Sequence, residues 1–162
     1  MGEVTMTVCV DTDTIVRDAA DASIREVFSM MIGEAIDAID EPSLGPVSTE
    51  AMTVLLGLTG EIQGSISVSL GEAAAIQWTK ALIDHETTEV DQTVVDAVGE
   101  LGNMVVGGAK RRMARNGLSM SLPTVFRAGH GSLVFPTHTT PVHIHYRFGH
   151  FVLTLVIAMR RA

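Results

Sequence analysis

In Thr93–Arg115, apolar residues recur at the helical period on one side and polar residues recur on the opposite side. This pattern predicts that the whole stretch forms one packed helix. Successive residues of an α-helix turn by about 100°. On that spacing the apolar stripe is Val94, Val98, Leu101 and Val105, and the opposite stripe is Asp96, Glu100, Asn103 and Gly107. Burial against a core explains the first stripe but not the second. The second stripe is therefore either an ordinary solvated surface or a functional one.

Glycines inside this helix indicate tight packing. Gly99, Gly102, Gly107 and Gly108 all lie within it, and each glycine destabilises a helix by roughly 0.5–1 kcal/mol relative to alanine. We therefore expect another backbone to approach the helix closely. Gly107 follows Asn103 by one turn on the polar stripe, where its missing side chain would clear space.

The remaining segments predict an α+β protein with an antiparallel sheet. Apolar residues at steps of three and four predict a first long helix over Ile15–Ile39, ended by the proline- and glycine-containing stretch 41–46. The other predicted elements are a hairpin of Thr53–Leu58 and Ile62–Leu70 with its tip near Gly60, a short helix Glu72–Ile83, and late strands Leu122–Phe126, Ser132–Phe135, Val142–Phe148 and Phe151–Met159. Because short turns join successive strands in antiparallel order, we expect two long helices packed on an antiparallel sheet.

Length and charge limit the classes of function. The 162 residues match one domain, 1–162, in which residues 1–14 would add an N-terminal arm or a strand over Val4–Val10. A net charge of −8 argues against binding to nucleic acid or to an anionic membrane. The sequence has one cysteine, Cys9, and neither a secretory signal nor an apolar run of about 18 residues. We therefore expect a cytoplasmic protein.

The two long helices contain a faint internal repeat. Glu26–Ala35 matches Glu100–Ala109 at Glu, Met, Gly and Ala when the two are offset by 74 residues. Ser29 of the first copy stands where the second copy has Asn103. The repeat predicts two related halves, each a helix followed by strands, of which only the second keeps the polar stripe.

The spacing Asp96-x-x-x-Glu100-x-x-Asn103, followed by Gly107, resembles the active-site motif of the CheC, CheX and FliY family of bacterial chemotaxis phosphatases. The order of elements, with two long helices in pseudo-repeat and antiparallel strands, is also similar to that family. One intact copy of the motif resembles CheX more than CheC, which usually carries two copies. The resemblance covers roughly Ile15–Met159 and implies a CheC/CheX-like fold.

What the resemblance implies is hydrolysis of the aspartyl phosphate on a CheY-type receiver domain, in chemotaxis or another two-component pathway. It gives catalytic roles to Asn103, which would orient a water molecule in line with the phosphorus, and to Glu100, which would pair with the receiver's active-site lysine. It places Glu100, Asp96 and Gly107 at the partner-binding surface. The receiver would bring its own Mg²⁺, so no cofactor or metal of the chain itself is expected.

Other interpretations remain open. The same fold would suit a non-enzymatic receiver-binding or flagellar-switch-like adaptor, although binding alone does not require the amide of Asn103. His143 and His145 point to one face of a predicted strand, and His138 or His150 would complete a zinc site; an exposed polar strand face explains the same pattern. The late strands are also compatible with a homodimer through sheet edges.

Overall fold

Helices and strands follow one another along the chain in the computed structural model, which describes residues 11–40, 51–113, 117–127, 135–136 and 139–161. The helices in these ranges are α1 (Thr12–Ile32), α2 (Glu72–Ile83) and α3 (Gln92–Met113). The strands are β1 (Asp37–Ile39), β2 (Ala51–Thr59), β3 (Ile62–Gly71), β4 (Ser119–Met120), β5 (Thr124–Arg127), β6 (Val142–Phe148) and β7 (Phe151–Arg161). In none of the described ranges does a helix have the length and apolar character needed to cross a bilayer.

The described strands form one antiparallel sheet in the order β1-β6-β7-β3-β2-β4, and β5 pairs with β2 on the same edge as β4. At its centre Leu56 lies opposite Ile66, which in turn lies opposite Ile157. All three side chains are buried. The predicted α+β class with two long helices and an antiparallel sheet is confirmed, and so is the hairpin around Gly60.

Three aromatic rings join the helices to the sheet. Phe28 of α1 packs against Trp78 of α2 at a centroid distance of 5.1 Å, and against Phe148 of β6 at 5.0 Å. Nε1 of Trp78 donates a hydrogen bond to the carbonyl oxygen of Ala97 on α3 at 2.9 Å. The three rings are fully or almost fully buried. The helices and the sheet therefore share one core, which holds α3 in place.

Helix α1 is shorter than the sequence predicts. The predicted helix Ile15–Ile39 is wrong beyond Ile32, because Ile39 lies in β1. Gly33 adopts a left-handed conformation with a φ of 70°, and its N–H donates to the carbonyl of Ser29 at 3.1 Å. Glycine enters this conformation without a Cβ clash. After the glycine, pairing of β1 with β6 satisfies the backbone, so apolar residues that continued the helical spacing belong to a connection and a strand.

Most other predicted bounds are confirmed. Helix α2 and strand β6 have the predicted ends, and β7 extends two residues beyond Met159. Helix α3 begins one residue before its predicted start, and its predicted end at Arg115 is outside the described ranges. The strand predicted over Leu122–Phe126 begins only at Thr124, after Pro123, which has no N–H to donate. The predicted strands Val4–Val10 and Ser132–Phe135 fall outside the described ranges, apart from Phe135, which is not in a strand.

Two glycines let α3 lie close to its neighbours, although side chains rather than the expected backbone make the approach. A Cβ atom at Gly102 would lie 2.5 Å from Cγ2 of Val54 on β2. A Cβ atom at Gly108 would collide with Oγ of Ser23 on α1. The absence of side chains at these two positions therefore sets the distance of α3 from the sheet and from α1.

Gly102→Ala is expected to lower the unfolding midpoint relative to Gly107→Ala. Both changes add about 1 kcal/mol of helix propensity. At Gly107 the new methyl would meet only the guanidinium of Arg111, at 3.7 Å, whereas at Gly102 it would overlap the buried side chain of Val54. Overpacking of that kind destabilises by roughly 1–3 kcal/mol. Denaturant unfolding of the two variants measures the difference, and equal midpoints would show that α3 can shift away from β2 freely.

Candidate functional site

The two stripes of α3 face opposite environments, as the sequence predicts. The apolar stripe, Val94, Val98, Leu101 and Val105, is fully buried. On the other stripe Asp96 and Glu100 are exposed, and Asn103 and Gly107 are half-buried. The polar stripe is therefore accessible to another molecule.

Glu100 and Asn103 line a groove between α1 and α3 with a volume of about 320 Å³. The groove residues are Glu100, Asn103, Met104 and Arg111 from α3, and Ser23, Glu26, Val27, Met30 and Met31 from α1. Met30 and Met31 are 68% and 45% exposed. The groove thus combines apolar thioether side chains with charged groups and one carboxamide.

Two contacts fix the spacing of α1 and α3 at the groove. Oγ of Ser23 donates a hydrogen bond to the carbonyl oxygen of Val105 at 2.6 Å. The guanidinium of Arg112 bonds the carboxylate of Glu26 and also the carbonyl oxygen of Gly108. The hydrogen bond from Arg112, together with its positive charge, holds the pKa of the Glu26 carboxyl below its usual value. The carboxylate of Glu26 is therefore ionised and already paired with a residue of the same chain.

Glu100 and Asn103 have no hydrogen-bond or ion-pair partner among the described residues. Their spacing of three residues puts the two side chains on the same side of α3. An ionised carboxylate only accepts hydrogen bonds, whereas a carboxamide both accepts and donates them. The pair is thus able to bind a cationic group through Glu100 and to orient a small polar molecule, such as water, through Asn103.

The other two residues of the polar stripe do not line the groove. Oδ1 of Asp96 accepts a hydrogen bond from Nε2 of Gln92 at 2.9 Å, one turn earlier on the helix. Gly107 lies against the guanidinium of Arg111. Of the sequence-predicted site residues, the structure thus brings Glu100 and Asn103 together in the groove, while Asp96 and Gly107 flank it on the same helix face.

The two copies of the internal repeat have different surroundings. Ser29, which corresponds to Asn103, is exposed and does not line the groove. Glu26 is ion-paired with its own chain, whereas Glu100 has no such partner in the described ranges. Gly33 ends α1, although the corresponding glycine of the second copy lies inside α3. Only the second copy therefore presents an unpaired carboxylate and a carboxamide together.

The late histidines do not form a metal site within the described ranges. No group of three or more His, Cys, Asp or Glu side chains there is placed to hold a metal ion. Nδ1 of His145 hydrogen-bonds with Oγ1 of Thr154 at 3.0 Å, across the β6–β7 pair. His138 is outside the described ranges, so any zinc site that depends on it stays a prediction.

Of the nine described residues that line the groove, the sequence assigns only Glu100 and Asn103 to the site, and the seven others include Met30, Met31 and Arg111. Arg111 could have been found from the sequence, because it follows Glu100 by eleven residues. That spacing brings it back to within about 20° of Glu100 around the helix. No sequence pattern indicated that the two methionines line a groove. The apolar steps of three and four residues in α1 run through Ile24, Val27 and Met31 and so predict Met31 in the core, yet it is 45% exposed. Its place in the groove follows from the packing of α1 beside α3.

A protein-family comparison also points to this helix and the strands around it. The family model described as chemotaxis phosphatase CheX matches residues 52–147, which include Glu100 and Asn103. One curated relative is the CheY-P phosphatase CheX of Thermotoga maritima, 27% identical over 114 residues. The match spans 61% of this chain and 74% of that protein.

Solved structures have the same fold. The chemotaxis protein CheX from Vibrio vulnificus is 22% identical and superposes with a TM-score of 0.78, over 90% of this chain and 96% of that chain. A chain of the CheX–CheY–BeF₃–Mg²⁺ complex from Borrelia burgdorferi is 19% identical and superposes with a TM-score of 0.72, over 94% and 99% of the two chains. At these identities the likeness establishes the fold.

Proposed function

Because this chain belongs to the chemotaxis phosphatase CheX family, we propose that it hydrolyses the aspartyl phosphate of a CheY-type receiver domain. The T. maritima relative is named a CheY-P phosphatase, and the B. burgdorferi complex contains both CheX and CheY. One observation carries the proposal. The carboxylate of Glu100 and the carboxamide of Asn103, unpaired within the described ranges, line one groove at the spacing of the motif.

In the proposed reaction Asn103 holds a water molecule in line with the phosphorus atom. The water oxygen bonds to phosphorus as the bond from phosphorus to the aspartyl oxygen breaks, which releases inorganic phosphate and restores the receiver's carboxylate. A carboxamide can accept a hydrogen bond from the water and donate another to a nearby oxygen without changing protonation. Since phosphoryl transfer has a loose transition state, positioning supplies much of the catalysis.

Glu100 is proposed to dock α3 by pairing with a lysine at the receiver's active site. Because the exposed carboxylate of Glu100 has no ion pair with a described residue, none has to break when the partner binds. The pair would strengthen as the interface excludes water. Because Glu100 and Asn103 are three residues apart on one helix, docking the acid also sets the position of the amide.

The proposal assigns Mg²⁺ to the receiver rather than to this chain, where it would neutralise charge on the phosphoryl group. Asp96 and Gly107 are proposed to contact the receiver at the edges of the groove, because they share the polar face of α3 with Glu100. A cytoplasmic location and a homodimer belong to the same proposal and rest on the sequence patterns alone.

Phosphate release from phosphorylated receivers of the same genome, with and without this protein, tests the proposed function. We expect the protein to accelerate release from at least one receiver. A protein that binds a phosphorylated receiver without accelerating release would instead be an adaptor. The amide of Asn103 favours the enzyme, because a docking surface alone needs no group that orients water.

Ser29→Ala is expected to leave phosphatase activity unchanged within about two-fold. Ser29 is exposed and lies outside the groove. Its hydroxyl does not reach as far as a carboxamide, so it cannot orient a water molecule in the same way. Phosphate release by purified wild-type and variant protein measures the effect. A loss of ten-fold or more, with an unchanged melting temperature, would show that the first copy of the repeat also acts on the receiver.

A further inference from the structure

Arg111 carries a positive charge into the groove. It is exposed, it lines the groove with Glu100 and Asn103, and its Nη1 lies 3.7 Å from the position a Cβ atom of Gly107 would take. Gly107 is four residues before Arg111 and four after Asn103. The guanidinium is therefore folded back along α3 in the direction of Asn103, over a position where the glycine leaves room.

The neighbouring Arg112 has a structural role, because it joins α3 to α1. Arg112 bonds the carboxylate of Glu26 on α1 and the carbonyl oxygen of Gly108. Arg111 makes no hydrogen bond or close ion pair with a described residue, although its charge helps Arg112 to lower the pKa of the Glu26 carboxyl. The packing of α1 against α3 thus uses Arg112, and the guanidinium of Arg111 remains available to another molecule.

The groove consequently has the carboxylate of Glu100 toward one end and the guanidinium of Arg111 toward the other, where the Glu26–Arg112 ion pair also lies. Eleven residues separate Glu100 from Arg111, which is about 16 Å along a helix. Asn103 lies between them, and Met30 of α1 adds exposed apolar surface beside them. A partner that fits must offer a cation at one end and an anion at the other.

We infer that Arg111 binds a carboxylate on the receiver domain and that this contact selects among receivers. The inference rests on the proposed function. A phosphoryl group in front of the Asn103 amide would lie about one turn, roughly 6 Å, from Gly107, where the guanidinium rests, so Arg111 faces the surface that flanks the phosphorylation site. Arginine presents a planar fork of donors that matches a carboxylate in two parallel hydrogen bonds.

This arrangement explains how one groove would discriminate between similar receivers. Glu100 pairs with a lysine at the active site, which many receivers would share, whereas the surface flanking that site is free to differ. A receiver with a carboxylate opposite Arg111 gains an ion pair, and one with a lysine there meets a like charge. Arg111 is therefore a specificity-determining residue rather than a catalytic one.

The test compares Arg111→Glu with Arg147→Glu in calorimetric binding to the receiver that the wild-type protein dephosphorylates. Arg147 is exposed on β6, outside the groove, and its substitution makes the same change of net charge. Binding is measured with and without beryllofluoride, which mimics the acyl phosphate. We expect Arg111→Glu to weaken binding at least ten-fold in both conditions, as loss of an interfacial charge pair does, and Arg147→Glu to change it less than two-fold.

A second variant, Arg111→Gln, removes the charge without reversing it and is expected to weaken binding by a smaller factor. Melting temperatures confirm that each variant is folded. Wild-type affinity of Arg111→Glu, or an equal loss in Arg147→Glu, would overturn the inference and leave the phosphatase proposal intact. A loss confined to the beryllofluoride form would show that Arg111 contacts the phosphoryl group instead. Failure of the wild-type protein to release phosphate from any receiver would overturn the proposed function, and the inference with it.

Discussion

Asn103→Ala is expected to lower the rate of receiver dephosphorylation at least about 100-fold while receiver affinity stays within about three-fold of wild type. Removal of one preorganised hydrogen-bonding group, such as an oxyanion-hole donor, slows a reaction by about 10²–10³, and we expect an effect of that size here. In the proposed mechanism the amide of Asn103 positions the attacking water, and alanine has no group that could do so. Phosphate release and calorimetric binding, measured on the same preparations, separate the two effects.

The Asn103→Ala change removes no hydrogen bond to a described residue. Asn103 is half-buried. Alanine also has the higher helix propensity, so the melting temperature should not fall. Ser29→Ala, at the corresponding position of the first copy, is the matched control. An Asn103→Ala protein that hydrolysed the acyl phosphate at the wild-type rate would refute the water-orienting mechanism.

Glu100→Lys is expected to abolish receiver binding, and Glu100→Gln to weaken it less. Charge pairs buried at an interface couple by about 1.5–7 kcal/mol, far more than exposed surface pairs do. The lysine variant replaces that attraction with repulsion of the receiver's lysine. Calorimetry with the beryllofluoride-activated receiver measures the affinity, and thermal unfolding is followed in parallel.

Neither Glu100 variant should change stability by more than about 0.5 kcal/mol, because the residue is exposed and has no ion pair in the described ranges. Glu89→Lys makes the same change of charge in the connection before α3, away from the groove. It should bind the receiver normally. Normal binding by Glu100→Lys would show that this helix face is not the docking surface. Unfolding of Glu100→Lys would show instead that Glu100 is structural.

Local periodicity in the sequence is enough to predict several parts of this protein. The helical spacing separates the apolar stripe of α3 from the polar stripe that holds Glu100 and Asn103, and in the structure only the apolar stripe is fully buried. Apolar residues alternate with serine over Ser65–Leu70, which predicts a strand, and this segment lies in β3, paired with β2 across the short turn at Gly60. These features can be predicted from the sequence because a helix by itself has a period of 3.6 residues and a strand a period of 2.

Which groups surround the site depends instead on how the helices pack against one another. The spacing of α1 predicts Met31 in the core and a helix that continues to Ile39, but Met31 is partly exposed and the left-handed Gly33 ends the helix at Ile32. The repeat suggested equivalent acids, yet Arg112 pairs with Glu26 and leaves Glu100 without an ion pair in the described ranges. These outcomes depend on contacts between residues far apart in the chain. A local pattern cannot specify them, because whether a side chain is buried, paired or open depends on the element that packs beside it.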